Sequence, residues 1–316
     1  FSLRPNIETD HEIKAKHPIS AIISTIKLTD IINLNKLLTT TLADIPACVA
    51  RALEEDIGSG DVTAMLIPKQ QKSKAEVLCR ENAVICGCAW VQEVFKQLDP
   101  DIKIHWFVKD GDKVGPNQPL FIVTGNTRSL LSGERTALNF LQLLSGTATM
   151  ANRFANFTKN TDIKILDTRK TVPGLRLAQK YAVAVGGCDN HRIGLYDAFL
   201  IKENHIAACG GITLAVSKAR EISPDKIIEV EVENLTELNE ALDAHADVVM
   251  VDNFAKEELE ALRNINFGNT KIEVSGNITE ESIKAYTKYA VNYISSGSLT
   301  KHVNAVDLSM RLMNYY

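Results

Sequence analysis

The second half of the chain alternates between two patterns of apolar residues. Six short runs are almost continuously apolar, and the stretches between them carry apolar residues at helical spacing. The runs, which we predict as strands, are Ile163–Asp167, Ala198–Lys202, Ile227–Glu231, Val248–Asp252, Lys271–Ser275 and Asn292–Ser296. The predicted helices between them are Ile212–Ile222, Leu235–His245, Ala255–Asn264 and Glu280–Tyr289. Strands of this kind are typical of parallel sheets covered by helices. The pattern favours an irregular (β/α) barrel of six or seven parallel strands, with a doubly wound open sheet as the alternative.

The first half of the chain has a different pattern. Apolar residues at helical spacing predict a helix from Pro46 to Glu55, with Asp44 capping its start. The segment from Ala75 to Gly125 carries alternating residues and the turn signal Asp110-Gly111, so we predict β structure there. These features are typical of a small α+β domain.

The two patterns divide the chain into domains. We predict an N-terminal extension of unknown role at residues 1–40, an α+β N-terminal domain at 41–133 and a barrel domain at 134–304. We expect the C-terminal residues 305–316 to form a helix that packs back on the N-terminal domain.

Composition excludes several classes of protein. The 316 residues carry 35 Lys+Arg against 39 Asp+Glu, a net charge of −4, which excludes a globally basic nucleic-acid binder. No stretch approaches the ~18 consecutive apolar residues of a membrane helix. The cysteines show no Cys-x-x-Cys pair, and Cys86-Gly-Cys88 has no second pair to complete a metal site. We therefore expect a soluble, cytoplasmic protein with reduced thiols.

Each predicted strand of the second half ends in a polar residue. The strand ends are Asp167, Lys202, Glu231, Asp252, Ser275 and the pair Ser295-Ser296. In a (β/α) barrel the active site lies at these C-terminal ends. Six strand ends with polar residues of different chemistry indicate that these side chains line a binding pocket. Strand ends that were merely exposed to solvent would not need this variety.

Cations accumulate near these strand ends. They are Arg169, Lys170, His191, Arg192 and Lys202, with Arg135 upstream at the start of an apolar helix. Charges of one sign repel unless an anion compensates them, and arginine and lysine suit carboxylates and phosphates. The alternatives are ordinary ion pairing for the arginines and lysines, and a structural role for the histidine.

Glu231 and Asp252 end consecutive predicted strands. If Ile228 and Val230 point outward, Glu231 points into the barrel. An inward pair of carboxylates suits acid–base chemistry, a Mg²⁺ site or sugar hydroxyls, and structural ion pairing is the alternative. Two small-residue turns, Ser275-Gly276-Asn277 and Ser295-Ser296-Gly297, offer backbone N–H groups for a phosphate. Together these features predict a site for a phosphate-bearing, polyanionic substrate.

Several motifs closely resemble those of the quinolinate phosphoribosyltransferase family. The motifs are Glu54-Glu-Asp-Ile-Gly-Ser-Gly-Asp-Val-Thr63, Ser132-Gly-Glu-Arg-Thr-Ala-Leu-Asn139, Asp167-Thr-Arg-Lys-Thr-Val-Pro-Gly-Leu-Arg176, Asn190-His-Arg192, Leu200-Ile-Lys-Glu-Asn-His205, Glu229-Val-Glu-Val-Glu233, Val251-Asp-Asn-Phe254 and Val274-Ser-Gly-Asn-Ile278. The resemblance runs from about Ile45 to the C-terminus. The ten-residue block that begins at Asp167 is the most specific motif.

The resemblance implies a fold, an assembly and a reaction. The fold is an open-faced α+β sandwich N-terminal domain with an irregular (β/α) barrel. The assembly is a homodimer with shared active sites. The reaction joins quinolinate to 5-phosphoribosyl-1-pyrophosphate with Mg²⁺, giving nicotinate mononucleotide, pyrophosphate and CO₂ in de novo NAD biosynthesis.

The resemblance also implies roles for the site residues. The quinolinate carboxylates would be bound by Arg169, His191, Arg192 and, from the other subunit, Arg135. The catalytic residues would be Lys170 and Lys202, between the ring carboxylate and the phosphates, and Glu231 and Asp252, which would face the ribose hydroxyls and Mg²⁺. The 5-phosphate would be bound by Ser275, Gly276, Asn277, Ser296 and Gly297.

The residues are also compatible with three other functions. Lys202 at a strand end is also where a barrel aldolase places its Schiff-base lysine. A related phosphoribosyltransferase with another acceptor, including the paralogues linked to molybdenum transport, would share most of the motifs. The third alternative is a non-catalytic barrel that only binds an anion, but such a protein would give Glu231 and Asp252 no role.

Overall fold

The structure, a computed structural model, describes residues 28–313. The predicted N-terminal extension lies outside the described residues up to residue 27, and residues 28–40 belong to the first helix. The N-terminal part contains α1 (Leu28–Ile57), β1 (Lys72–Cys79), β2 (Ala83–Val84), α2 (Cys88–Leu98), β3 (Lys103–Trp106), β4 (Lys113–Val114), β5 (Pro119–Asn126) and α3 (Thr127–Thr158). A short 3-10 turn at Ala64–Leu66 lies between α1 and β1.

The barrel part follows α3. It contains β6 (Lys164–Leu166), α4 (Arg176–Val185), β7 (Phe199–Ile201), α5 (Glu203–Cys209), α6 (Ile212–Ile222), β8 (Ile228–Val232), α7 (Leu235–Asp243), β9 (Val248–Asp252), α8 (Lys256–Ala261), β10 (Lys271–Ser275), α9 (Ile283–Tyr286), β11 (Tyr293–Ser295) and α10 (Ser298–Lys301). The chain then returns to the N-terminal part as β12 (Leu308–Leu312). Within residues 28–313, no helix is both long and apolar enough to cross a membrane.

The second half forms the predicted parallel α/β barrel. Its six strands pair in the order β6-β11-β10-β9-β8-β7, which is the chain order closed into a ring except between β6 and β7. Beside β6, Leu166 makes an isolated parallel bridge with Asp189, so the segment after α4 lies along that open edge. The barrel is therefore irregular and open on one side.

Hydrophobic packing decides which strand residues face the barrel interior. On β8, Ile228, Val230 and Val232 belong to the core that packs against the surrounding helices. Because successive strand residues point to opposite faces, Glu229 and Glu231 face the interior. The same alternation holds on β10, where Ile272 and Val274 are in the outer core and Glu273 points inward.

The N-terminal domain is an antiparallel sheet covered by helices. Its four strands have the order β12-β1-β5-β3, and a second core joins them to the long helices. The segment predicted as β structure also contains α2, whose apolar residues Trp90, Val91, Val94 and Phe95 are buried at helical spacing. The predicted start of the first helix at Pro46 is wrong, because α1 begins at Leu28 and carries Pro46 in its interior.

The predicted C-terminal helix is wrong. Leu308–Leu312 is a strand that pairs antiparallel with β1, with Met310 opposite Val77. The segment thus covers an edge of the N-terminal sheet, where a helix could not supply the ladder hydrogen bonds. The predicted borders near residues 40 and 133 lie inside α1 and α3, so each of these two borders is crossed by a continuous helix.

Candidate active site

The strand ends of the barrel meet at one mouth. The sheet order places the residues at or just after these ends in the circular sequence Lys202, Glu231, Asp252, Ser275, Ser295 and Asp167. Asp252 and Ser275 are direct partners across β9 and β10. The barrel therefore brings the predicted carboxylates, lysines and small-residue turns to the same edge.

Two carboxylates stand next to each other on this edge, and each is held by a neighbour. The Nζ atom of Lys202 donates to Glu231 Oε2. Asn253 Nδ2 donates to Asp252 Oδ2 at 2.9 Å. Within residues 28–313, Glu231 Oε1 and Asp252 Oδ1 make no hydrogen bond, so each carboxylate keeps an oxygen for a ligand.

This donor set fits the magnesium ion that the family implies. Mg²⁺ binds oxygen atoms and is usually held by one or two carboxylates together with substrate phosphates. Glu231 and Asp252 supply two half-buried carboxylates at neighbouring strand ends, each with an oxygen to spare.

The guanidinium groups of Arg169 and Arg192 lie near each other, and neither forms an ion pair with another described residue. Among the described residues, neither Arg169 nor Arg192 has an acidic group within the 4.0 Å of an ion pair, and the Nε of Arg169 is buried with no partner. Burial, and next the positive charge of Arg169, lower the pKa of Arg192, while the charges of Glu229 and Asp197 oppose this effect. An anion between two partly buried cations would relieve their repulsion, and planar guanidinium groups suit carboxylates.

A buried acid anchors the loops that carry these arginines. Asp167 is fully buried and accepts hydrogen bonds from Lys180 Nζ at 2.5 Å, Asn190 Nδ2 at 2.7 Å and the backbone N–H of His191 at 2.8 Å. Burial raises the pKa of Asp167, and the Lys180 ammonium opposes that rise. Asp167 and Lys180 thus form a structural pair beneath the site.

The loop after β6 is tied to two neighbouring elements. The guanidinium of Arg176 bonds the carbonyl groups of Arg169 and Ile193, at 3.5 and 3.3 Å. The buried amide of Gln179 accepts from the backbone N–H of Val172 at 2.7 Å and donates to the carbonyl of Thr300 at 2.9 Å. These contacts fix the loop that holds Arg169 and Lys170.

Lys170 lies against the turn that follows β11. Its carbonyl accepts from the Thr300 hydroxyl at 2.7 Å. A Cβ on Gly297 would come within 2.9 Å of the Cδ of Lys170, so the lysine side chain crosses directly over this glycine. The structure therefore places an exposed ammonium beside the predicted phosphate turn.

His191 is held in a buried cluster. Its Nε2 lies 2.9 Å from Glu229 Oε2 and 3.7 Å from Glu273 Oε2, while its Nδ1 accepts the backbone N–H of Arg192 at 2.8 Å. Both ring nitrogens are therefore engaged, and the predicted contact of His191 with a substrate carboxylate would require one of these bonds to be exchanged. Through the Arg192 hydrogen bond, the ring also fixes the backbone that carries the Arg192 guanidinium.

The charges of this cluster are strongly coupled. Burial lowers the pKa of His191, but the hydrogen bond and charge of Glu229 and the charge of Glu273 outweigh burial and raise it to about 8. The Nδ1 bond to Arg192 opposes this effect, since a second ring proton would displace it. Burial and the charge of Glu229 raise the pKa of Glu273 to about 8. A raised pKa favours the neutral form of Glu273, which lowers the repulsion between two neighbouring buried carboxyl groups.

The two predicted phosphate turns are joined to each other. The hydroxyl groups of Ser296 and Ser298 both bond the carbonyl of Ile278, at 2.9 and 3.2 Å. The backbone N–H of Ser296 donates to Leu166 O at 3.0 Å, so this serine has already used its donors. In the described part of the chain, the N–H groups of Gly276, Asn277 and Gly297 make no hydrogen bond and are available to a phosphate.

Arg135 lies apart from the other cations. It is exposed on α3, and no hydrogen bond or ion pair of residues 28–313 links it to the barrel mouth. Its role as a carboxylate ligand stays a prediction that depends on a second subunit.

Sequence reasoning missed several residues that shape the site. They are Lys180, the buried partner of Asp167, the inward Glu229 and Glu273, and Asn253, whose backbone is left-handed with φ 53°. The alternation Glu229-Val-Glu231 was a signal for Glu229, and so was a lone Glu273 between two apolar residues. No local signal pairs Lys180 with Asp167, because their contact depends on how α4 packs beside β6.

Comparison with known proteins gives a family for both parts of the chain. The family model "Quinolinate phosphoribosyl transferase, N-terminal domain" matches residues 61–145, and the corresponding "C-terminal domain" model matches residues 147–311. A relative from Bacillus subtilis (strain 168), named as a probable nicotinate-nucleotide pyrophosphorylase [carboxylating], is 44% identical over 257 residues. That alignment covers 81% of this chain and 89% of the relative. A relative of the same name from Methanocaldococcus jannaschii is 43% identical. That alignment covers 84% of this chain and 96% of the relative.

Solved structures give the same result. The nicotinate-nucleotide pyrophosphorylase from Francisella tularensis superimposes with a TM-score of 0.83 at 48% identity, covering 86% of this chain and 97% of that one. The two family models together match most of residues 61–311, and they meet inside α3. This chain therefore belongs to the quinolinate phosphoribosyltransferase family.

Proposed function

We propose that this protein joins quinolinate to 5-phosphoribosyl-1-pyrophosphate, forming nicotinate mononucleotide and releasing pyrophosphate and CO₂. The main support for this proposal is that positive and negative side chains lie on opposite sides of one barrel mouth. On one side Arg169 and Arg192 form no ion pair with a described residue, and on the other side Glu231 and Asp252 each keep an unused oxygen. The dianionic ring of quinolinate needs positively charged neighbours, and the ribose carbon, which becomes cationic, needs negatively charged ones.

The arginines would bind and orient the acceptor. Quinolinate carries two adjacent carboxylates, and two guanidinium groups that already repel each other gain most when an anion binds between them. Their backbones are fixed by Arg176 and by His191, so the ring nitrogen would be held in one direction. Such positioning supplies much of the rate of a reaction between two bound substrates.

The carboxylates and the lysines would stabilise the charges that develop during transfer. As the bond between ribose C1 and the pyrophosphate oxygen breaks, positive charge develops on the sugar, and Glu231 and Asp252 would face it. The ammonium groups of Lys170 and Lys202 would face the departing phosphates. A bound Mg²⁺ would neutralise phosphate oxygens from the same edge.

Decarboxylation would follow from the chemistry of the ring. The ring nitrogen uses its lone pair to bond C1 and becomes positively charged. The bond to the neighbouring carboxyl carbon then breaks, CO₂ leaves, and the electron pair remains on the ring carbon beside the cationic nitrogen until it takes up a proton. No side-chain nucleophile is required.

We also propose a homodimer and a cytoplasmic location. Exposed apolar side chains include Val62, Met65 and Leu66 before β1, and Leu195 and Tyr196 in the segment that follows Arg192. Apolar patches of this kind support association with a second copy, which could bring Arg135 to the partner's barrel mouth. The six cysteines are all free thiols, which suits a reducing compartment.

The test is a direct assay that follows nicotinate mononucleotide and CO₂ together from quinolinate, phosphoribosyl pyrophosphate and Mg²⁺. The proposal expects both products in equal amounts and none after chelation by EDTA. Folded protein that forms no product with quinolinate, but forms one with another aromatic acid, would assign the chain to a related transferase.

The Schiff-base alternative can be tested separately. Lys202 Nζ is bound to Glu231 rather than free in the pocket, which disfavours this alternative. Borohydride trapping of a carbonyl substrate that is lost in Lys202→Met would support the alternative and contradict the transferase mechanism.

A further inference from the structure

We infer that Asn253 is a positioning residue that locks the carboxylate of Asp252 to the phosphate turn Ser275-Gly276-Asn277. The inference rests on the proposed function and adds a residue to it. It concerns how the ribose and the 5-phosphate of one phosphoribosyl pyrophosphate molecule would be bound at a fixed separation.

Asn253 contacts both parts of this region through its side chain. Its Nδ2 donates to Asp252 Oδ2 at 2.9 Å, and its Oδ1 accepts from Asn277 Nδ2 at 3.3 Å. One amide therefore links the end of β9 to the turn that follows β10. Asparagine can do this because its side chain combines a donor with an acceptor.

The backbone of Asn253 adds two further links. Its N–H donates to the carbonyl of Ser275 at 3.2 Å. Its amide also lies directly over Gly276, where a Cβ would overlap the Asn253 side chain. Gly276 has φ 98°, so both its conformation and this close approach require glycine.

Asn253 adopts a costly conformation to make these contacts. Its φ is 53°, in the left-handed region that most side chains avoid but asparagine tolerates. Such conformations persist where the surroundings fix them, and they concentrate at functional sites. The turn that it contacts contains the N–H groups of Gly276 and Asn277, which have no partner among the described residues. The conformation therefore sets the distance between a sugar-facing carboxylate and a phosphate-binding turn.

The contacts predict a selective kinetic effect. Loss of the amide would let Asp252 and the turn move independently, which weakens binding of a ligand that must contact both. Quinolinate would bind on the arginines, which Asn253 does not touch. The KM for phosphoribosyl pyrophosphate should rise while the KM for quinolinate stays the same.

The test compares Asn253→Gly and Asn253→Asp with the matched control Asn117→Gly. Glycine keeps the left-handed backbone but removes the amide, and aspartate keeps the shape but replaces the donor to Asp252 with an oxygen. Asn117 also has positive φ, 62°, and its amide accepts a hydrogen bond from Arg80 in the N-terminal domain. The control therefore loses a comparable amide far from the barrel mouth.

We expect both Asn253 variants to raise the KM for phosphoribosyl pyrophosphate about tenfold or more, as the loss of one or two hydrogen bonds predicts. The KM for quinolinate should stay within about twofold, and the melting temperature should match that of Asn117→Gly. Unchanged kinetics in Asn253→Gly would overturn the inference. So would equal rises in both KM values together with a lower melting temperature, because that pattern means a loosened loop.

A binding experiment separates this inference from the proposed function. Calorimetry with phosphoribosyl pyrophosphate and Mg²⁺ measures its affinity without turnover. If the wild-type protein binds the sugar donor but forms no product from quinolinate, the proposed acceptor is wrong. Asn253→Gly must then still weaken donor binding about tenfold, and equal affinity in the two proteins would contradict the role of Asn253.

Discussion

Gly297 lies directly beneath the side chain of Lys170, so close that a Cβ on the glycine would come within 2.9 Å of the lysine Cδ. The backbone of Gly297 has φ −68°, which alanine adopts without strain. Gly297→Ala should therefore fold normally but displace the Lys170 ammonium from the phosphate turn. We expect turnover to fall about tenfold, because misplacement by a fraction of an ångström is costly in a positioned site.

Gly115→Ala provides the control for this substitution. A Cβ on Gly115 would meet only Asn82 Oδ1 at 3.7 Å, an ordinary contact outside the barrel. Steady-state kinetics and thermal unfolding of the two variants should show lower turnover in Gly297→Ala alone, with similar melting temperatures. Full activity in Gly297→Ala would mean that the exact place of Lys170 does not matter.

Lys170 itself should contribute to turnover and not to stability. Its side chain is exposed and has no ion pair within residues 28–313, so Lys170→Ala should change the free energy of unfolding by less than about 0.5 kcal/mol. Turnover should fall about 100-fold or more, as expected for loss of a charge that stabilises a leaving group. Lys218→Ala, an exposed lysine on α6, should change neither quantity. Equal losses of turnover and stability would contradict a catalytic role for Lys170.

Substitution of Arg169 should affect the KM for quinolinate and not stability, whereas substitution of an arginine in a surface ion pair should do the reverse. It lies near Arg192 without an acidic partner, so Arg169→Gln should leave the free energy of unfolding unchanged or higher while the KM for quinolinate rises about tenfold or more. Arg220 donates to Asp247 at 3.0 Å on the surface, and Arg220→Gln should lose up to about 1 kcal/mol without affecting the KM. Urea unfolding and initial-rate kinetics of the two variants measure both effects. A clear loss of stability in Arg169→Gln would mean that Arg169 is structural.

The strands of the barrel could be predicted from the sequence because the pattern of apolar residues within each strand indicates how it is buried. The predicted bounds Val248–Asp252 and Lys271–Ser275 agree with β9 and β10, and Ile212–Ile222 agrees with α6. Each parallel strand is apolar on its outer face and ends at the polar mouth, so pattern and position coincide.

The N-terminal part was harder because tertiary contacts override local preference there. Pro46 is a common start of a helix, yet α1 continues through it, since Ile45, Val49 and Leu53 pack into the domain core. The C-terminal segment has apolar residues at 308, 310 and 312, an alternation that indicates a strand, and pairing with β1 fixes it.

Within the candidate site, the motifs indicated which residues matter but not how they contact each other. His191 was predicted to bind a carboxylate ligand, and the structure shows its ring in contact with Glu229 and Arg192. That arrangement depends on Glu229 and Glu273 meeting inside the barrel from β8 and β10, which are separated by a strand. No pattern in either strand by itself indicates the meeting.

The buried carboxyl of Glu273 should make stability depend on pH. Burial and the charge of Glu229 raise its pKa from 4.5 to about 8 in the folded protein. Between these values the folded protein holds a proton that the unfolded chain has released, so the free energy of unfolding falls as pH rises from 4.5 to 8. The slope from one such proton is at most about 1.4 kcal/mol per pH unit. His191, whose pKa is raised from 6.5 to about 8, adds a slope of the same sign above pH 6.5.

Glu273→Gln should remove most of this dependence. Glutamine resembles the protonated carboxyl in size and never ionises, so the variant should lose the slope between pH 5 and 6.5 and keep the part that His191 contributes above 6.5. Urea unfolding between pH 5 and 9 measures the curves, with Glu257→Gln on the exposed face of α8 as the control. The variant should be less sensitive than the wild type to alkaline pH, where ionised Glu273 would stand buried beside Glu229. Parallel curves for wild type and variant would show that Glu273 carries no proton in the folded protein, and that another charge compensates the two carboxylates.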